Sequence, residues 1–156
     1  MRHRCKVNHL ARPADQRKAL LRTLATSLCL HDEIVTTAIR AKALQQYVAK
    51  IITFAKRGDL NAVRQVKRMI FHSPTGKMLT TKNGNEIPET VLHRIFSELG
   101  PRFTERQGGY TRVIKMAPRR GDASPMAMIQ FTFELDSHKE HHHHAHEEAV
   151  TVEAQG

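Results

Sequence analysis

No stretch of this chain approaches the roughly 20 consecutive apolar residues of a membrane-spanning helix, and Met1, Arg2, His3 and Arg4 lead into no apolar signal segment. The expectation is a soluble protein that stays in the cytoplasm. Cysteine is scarce. Cys5 and Cys29 sit alone, one in a basic arm and one in an apolar helical pattern, which argues against a disulfide framework. Catalytic constellations are missing as well: no nucleophile with a base, paired carboxylates or phosphate-binding loop occurs at a usable spacing. Cys29 lies among leucines and threonines, where a thiol packs and stays inert. Asp32 and Glu33 are adjacent, so their side chains point apart in a strand, and the pair reads as surface. An enzyme is not expected, and neither is a cofactor or a small-molecule substrate.

Acid is in short supply relative to base. Against 25 Lys and Arg there are 15 Asp and Glu, for a formal charge of +10 in 156 residues, a length that suits one domain with a real core. The charge is unevenly placed. From Ser137 onward Lys139 faces Glu140, Glu147, Glu148 and Glu153, so the tail carries −3 and the body before it +13. A field of that sign attracts polyanions over about a Debye length, and cellular polyanions are chiefly nucleic acid and anionic membrane.

The apolar pattern predicts an α+β domain over residues 13–136: about four helices packed on a small mixed sheet of about three strands. Residues 1–12 have little apolar surface to bury and are expected to form an extended basic arm. Pro13 fits the first turn of a helix that carries Leu20, Leu21, Leu24 and Leu28 and runs to about Leu30. His31 to Thr37 holds the β-branched run of a short strand, whose threonines suit the cap of the next helix. In that second helix Leu44, Tyr47, Val48, Ile51, Ile52 and Ala55 share a face, and Gly58 stands at the C-terminal cap position. Asp59 suits the cap of a third helix with Val63, Val66 and Ile70 inward and Arg64, Lys67 and Arg68 elsewhere, ending before Pro74. Residues 73–88 read as a surface loop or small hairpin around the Asn83-Gly84 turn signal. Pro88 is expected to open a fourth helix with Val91, Leu92, Ile95, Phe96 and Leu99 on one face, closed by Gly100 and Pro101. Strands follow near Tyr110 to Met116 and over Ala127 to Leu135. In the second of these Ala127, Ile129, Phe131, Phe133 and Leu135 alternate with Met128, Gln130, Thr132 and Glu134. Residues 137–156 show no usable periodicity and read as a disordered extension.

Two basic clusters are the candidate binding residues. The arm and first helix hold Arg2, Arg4, Lys6, Arg12, Arg17, Lys18 and Arg22 against Asp15 alone, with His3 among them, giving +6 in the first 22 residues. A charge run is often only a solvated face, but such faces usually mix both signs. Nucleic-acid contact is the preferred reading. Arg102, Arg106, Arg112, Lys115, Arg119 and Arg120 bracket Gly108, Gly109 and an exposed-looking Tyr110. Arginine forks match phosphate oxygens, glycines let backbone amides approach closely, and an aromatic stacks on an unpaired base. For Tyr110 the alternative of a core side chain carries equal weight.

At these same residues the chain resembles a known family. Met1-Arg2-His3-Arg4, Glu98-Leu99-Gly100-Pro101-Arg102-Phe103, Gly108-Gly109-Tyr110-Thr111-Arg112 and Gly121-Asp122-Ala123-Ser124-Pro125-Met126-Ala127 occur in the order found in bacterial ribosomal protein seventeen of the large subunit. The likeness spans residues 1 to about 135. The resemblance implies an α+β fold and binding to large-subunit ribosomal RNA near the exit of the peptide tunnel. It also implies neighbours such as ribosomal proteins twenty-two and thirty-two of that subunit. Relative to the family pattern, residues 73–86 look like an insertion and the His-rich tail like an addition.

His141 to His144, His146, Glu147 and Glu148 have the chemistry to chelate zinc or nickel. A flexible run lacks fixed geometry, so no physiological metal site is assigned to it. Ala145 interrupts the run and ten residues follow His146, unlike an expression tag. Two other function classes compete with a structural ribosomal role. One is a free-standing nucleoid or regulatory nucleic-acid binder, against which the lack of helix-turn-helix or zinc-finger spacing speaks. The other is a metal-storage protein built on the tail.

Overall fold

The computed structural model describes residues 9–80 and 86–132. Residues 1–8 of the expected arm 1–12, the Asn83-Gly84 turn, the strand end at Phe133 to Leu135 and the tail lie outside the described residues; residues 9–12 form a turn, closed by the Arg12 N–H on the His9 carbonyl, and not an extended chain. The elements run α1 (Ala14–His31), β1 (Glu33–Thr37), α2 (Ala38–Arg57), α3 (Leu60–Met69), β2 (Pro74–Thr80) and β3 (Glu86–Thr90). A fourth helical stretch follows without a break as α4 (Val91–Arg94), a π-helical turn (Ile95–Leu99) and α5 (Gly100–Arg102), before β4 (Thr111–Lys115) and β5 (Met126–Phe131).

The three-stranded sheet has the order β1-β5-β4 and is antiparallel throughout, not mixed. The reason lies in the connections. The chain crosses between β1 and β4 through all the remaining helices, then returns from β4 to β5 by a short loop that allows only an antiparallel partner. Ile34, Ile129 and Val113 stand in register across the sheet. With Ala127 and Phe131 they face the helices, where Leu28, Leu44, Val48, Ile51, Ile52, Ile95, Leu99 and Phe103 complete the core. In the last strand Ala127, Ile129 and Phe131 are buried as the alternation predicts, but Gln130 and, just past the strand, Thr132 are buried as well, so the expected polar face is covered toward that end.

Several boundaries differ from the sequence reading. In α1 the fully covered positions are Ala25, Leu28 and Cys29, while Leu20, Leu21 and Leu24 are half-buried. The strand expected from His31 starts at Glu33. His31 ends α1, and Asp32 caps it in the left-handed region at φ 63°, its N–H donating to the Leu28 carbonyl at 2.9 Å. Asp tolerates that conformation better than most residues. Thr37 and Asp59 occupy the N-cap positions of α2 and α3 as expected, but neither side chain makes a cap hydrogen bond. Pro88 does not open a helix. It lies in β3 opposite Met78, as an edge strand of a two-stranded hairpin allows, and the helix starts at Val91, where the Thr90 hydroxyl accepts from the His93 N–H at 3.3 Å. The expected loop or hairpin at residues 73–88 is thus a hairpin whose second strand runs on to Thr90.

A residue that sequence reading passed over joins these parts. Arg94 is 8% exposed. Its Nη1 donates to the carbonyls of Cys29 (2.7 Å) and Leu30 (2.5 Å) at the C-terminal end of α1, its Nη2 to Asp32 Oδ2 (2.5 Å) and its Nε to Glu98 Oε2 (3.0 Å). Removing one partner of a buried ion pair leaves the other charge uncompensated. Replacing Arg94 by Met is therefore expected to destabilise the fold by about 3–5 kcal/mol, read as a lower urea midpoint at unchanged slope. An unchanged midpoint would show that water replaces the guanidinium without loss.

Gly100 supplies the second join. A Cβ built there would stand 3.0 Å from the Ala55 carbonyl oxygen of α2, a backbone atom that cannot rotate away. Gly100 has ordinary helical angles, so closeness alone calls for glycine. Gly100→Ala should cost about 1–3 kcal/mol through overpacking, measured by thermal unfolding.

Candidate nucleic-acid interface

The first cluster is built on α1. Arg2, His3, Arg4 and Lys6 lie outside the described residues. Arg12 is exposed and closes a tight turn, its N–H donating to the His9 carbonyl at 3.1 Å. Leu10 and Ala11 in this turn have φ of 52° and 50°, left-handed values that β-carbon-bearing residues rarely adopt. Arg17 reaches back to His9, Nη1 to Nδ1 at 3.1 Å, so the chain before α1 is folded onto the helix. Lys18 is exposed. Arg22 is half-buried: its Nη2 donates to the Ile70 carbonyl at 3.0 Å, and its guanidinium carbon lies 4.2 Å from the centroid of the Phe71 ring. Its Nε is buried without a hydrogen-bond partner.

The second cluster divides by what each cation touches. Arg106 donates through Nη1 to the Thr132 hydroxyl, and its carbonyl accepts from Lys56 Nζ at 2.7 Å. Arg119 grips Asp122 with Nη2 at 2.5 Å and Nε at 3.1 Å. That contact, together with bonds from the Ser124 hydroxyl and N–H, holds the Asp122 carboxyl far below its ordinary value. Arg102, Arg112, Lys115 and Arg120 are exposed; Arg112 stands on β4 opposite Gln130. Arg112 and Lys115 are thus exposed on opposite faces of the edge strand β4 and Arg120 in its outgoing loop, while Arg106 and Arg119 are partly engaged within the protein.

Tyr110 is not the exposed platform that its basic setting suggested. It is 7% exposed, and its ring meets Phe103 edge-on at 5.3 Å between centroids. Gly109, at φ 62°, immediately precedes Tyr110, and both Tyr110 and Thr111 are buried while Arg112 is exposed. Cys29 is fully buried, and burial pushes its thiol up to about 12, which keeps it protonated. Asp32, expected at the surface, is half-buried on Arg94; Glu33 is exposed.

A third group of cations, which the sequence places off the inward face of the third helix but does not join to either cluster, is also exposed. Arg64, Lys67 and Arg68 are exposed on α3 at i, i+3 and i+4, a spacing that puts all three on one side of the helix and was visible in the sequence. Among the described residues no cluster of His, Cys, Asp or Glu suits a metal ion, and no helix is long and apolar enough to cross a membrane.

Two acidic groups support the fourth helical stretch. The Arg94 hydrogen bond lowers the Glu98 carboxyl below its ordinary value, and Lys77 Nζ at 3.2 Å adds to the effect. A hydrogen bond from Thr75 at 2.8 Å does the same for buried Glu89, against the opposing effect of its burial. Because both folded values lie below the unfolded ones, the stability they contribute is complete above the unfolded value and is lost as pH falls through the folded one. Urea midpoints are expected to fall as pH drops below about 5, with a smaller fall in a Glu89→Gln/Glu98→Gln variant. Parallel curves for the two proteins would show that these carboxylates are not responsible.

Fold and surface together define a class: a small, strongly basic α+β domain whose exposed cations are carried on helix faces and a sheet edge. The family model described as Ribosomal protein L17 matches residues 20–132, which include α2 to β5 entire and most of α1. A large ribosomal subunit protein bL17 from Enterococcus faecalis is 46% identical over 122 residues, covering 78% of this chain and 94% of the relative. Proteins of the same description from Streptococcus thermophilus and Streptococcus pneumoniae are 46% identical over 121 residues, with the same coverage. The chain belongs to the ribosomal protein L17 family.

Proposed function

We propose that this protein is a structural, non-enzymatic constituent of the large ribosomal subunit in the cytoplasm, and that it works by binding large-subunit ribosomal RNA. The observation that carries the reading is the 46% identity to large-subunit proteins, which extends over nearly their whole length. The surface supports it. Arg12, Lys18, Arg112, Lys115 and Arg120 are exposed on a body whose charge is +13, and cations so placed replace the counterions condensed on phosphates. In this reading the arm through Lys6 extends the first cluster, and the protein sits near the exit of the peptide tunnel beside ribosomal proteins twenty-two and thirty-two. The β2–β3 hairpin offers a further surface to neighbours.

Sucrose-gradient fractionation tests assembly: the protein should co-migrate with the large subunit, and recovery only in free or DNA-bound fractions would overturn the reading. The cations are tested on an RNA fragment of that subunit. Each lost phosphate contact flattens the dependence of log affinity on log salt by roughly 0.7–0.9. Replacing Arg112, Lys115 and Arg120 by Gln should therefore flatten it by about 2–3. Arg119→Gln should change it less, because Asp122 already neutralises that guanidinium. Wild-type affinity and slope in the triple variant would remove the β4 edge from the interface.

A further inference from the structure

With Tyr110 in the core, Phe71, 39% exposed and two residues past the end of α3, is an aromatic ring that stands beside a cation at the surface, at 4.2 Å compared with 5.8 Å for Phe54 beside Arg57. It is firmly placed. Its N–H donates to the Thr26 hydroxyl at 3.0 Å, and that hydroxyl donates to the Arg22 carbonyl at 2.8 Å. The Arg22 guanidinium, fixed on the Ile70 carbonyl, lies over the ring at 4.2 Å. This is a preformed cation–π pair, assembled from α1 and the segment after α3, well inside the 6 Å reach of such interactions.

Beside the pair lies a cavity of about 210 Å³ lined by Arg22, Lys67, Ile70, Phe71, His72 and Leu92, among others. Ile70 and Leu92 supply apolar surface, Phe71 and His72 supply rings, and Arg22 and Lys67 supply positive charge; no acidic residue lines it. Lys18 lies one turn before Arg22 on α1, and Arg64 and Arg68 lie on α3 with Lys67. Apolar walls with planar π groups favour a flat ring system, whereas surrounding cations favour an attached phosphate. The volume falls below the roughly 300–1,000 Å³ of drug-sized ligand sites, which suits one ring system and not an extended molecule. The geometry points to a pocket for a single unstacked RNA base, stacked at the Arg22–Phe71 pair with its phosphate on Lys67 and Lys18. It rests on the reading that the chain binds ribosomal RNA, and it names where that RNA is held by its bases as well as its backbone.

The chain has no tryptophan, so Phe71→Trp places a sole indole at the pocket. Titration with single-stranded hexaadenylate should quench its fluorescence, while an abasic oligomer with the same phosphates should bind more weakly and quench little. Phe71→Leu, which keeps an apolar side chain but removes the ring, should lower affinity for hexaadenylate about tenfold, within the range of one base–aromatic stack. Its salt dependence should be unchanged, since no charge is removed. Circular dichroism establishes that both variants are folded. Equal quenching by the abasic oligomer, or wild-type affinity in Phe71→Leu, overturns the pocket while leaving the RNA reading intact. Quenching by an apolar peptide and by neither oligomer also overturns it, and assigns the cavity to a protein neighbour. If the wild-type protein binds neither hexaadenylate nor large-subunit RNA, the pocket and the broader RNA reading fall together.

Discussion

The Arg94 guanidinium is the interaction on which the arrangement of the helices depends. An α-helix ends with carbonyls that lack intrahelical partners and carry partial negative charge. In α1 the carbonyls of Cys29 and Leu30 meet a cation delivered from a different helix. The same cation takes Asp32, the left-handed residue that turns the chain from α1 into β1. The Asp32 carbonyl in turn accepts from the Phe131 N–H at 3.1 Å, which anchors the central strand β5 to that turn. One planar fork thus fixes a helix end, a turn and, one bond further, the sheet. Lysine offers a point charge without the fork, and could not reach these acceptors in the same geometry. Glu98 completes the neutralisation from the π-helical turn. The extra residue in that turn changes the phase of the helix between Arg94 and Gly100, and both must face inward, one toward α1 and the other against the α2 backbone.

That arrangement sorts the cations of a strongly basic chain into two kinds. Arg94 is a core residue, and Arg22, Arg106, Arg119 and Lys56 bind carbonyls, a hydroxyl or a carboxylate within the protein. Arg12, Lys18, Arg64, Lys67, Arg68, Arg112, Lys115 and Arg120 remain on the outside. Formal charge counts both kinds alike. Arg94 and Arg119 have their charge offset by carboxylates, whereas Arg22, Arg106 and Lys56 keep their charge but are held in place by neutral acceptors, so only the second kind is free to turn toward a polyanion.

This sorting also explains what was legible in the sequence. Periodicity measures burial, so α2, α3 and the alternation of Ala127, Ile129 and Phe131 could be read directly. The two basic clusters could be read as composition. Which of their members were engaged could not, because their partners are remote: Arg106 meets Thr132, and Arg22 meets Ile70 and Phe71. For Tyr110 the sequence leaves an exposed and a core reading evenly weighted, because charged neighbours suggest a surface while the ring suits a core, and the remote packing on Phe103 decides for the core. Pro88 was taken for a helix start because proline suits both that position and an edge strand, and only the pairing with Met78 decides between them. Arg94 lies inside an apolar pattern, and nothing in that pattern singles it out. A basic residue four positions before a glutamate on a core-facing helix was the available signal.

The loop between β4 and β5 shows how order in the free protein serves a binding surface. The Arg119 N–H donates to the Ser124 carbonyl, the Ala123 N–H donates to the Arg119 carbonyl, and Asp122 accepts from the Arg119 guanidinium and from the Ser124 N–H and hydroxyl. These bonds are local, and the loop residues that make them are exposed or half-buried. Their main effect is therefore conformational: they shape a segment that buries little apolar area of its own. Arg120 sits inside this frame, next to a neighbour whose charge is already satisfied. Binding at Arg120 then costs little further ordering of the backbone, which is where preorganisation improves affinity. Arg119 contributes to a polyanion site by fixing its neighbour, and Arg120 by its charge. The resemblance of residues 121–127 to the family pattern is thus accounted for by the geometry of the loop, without requiring that each residue touch RNA.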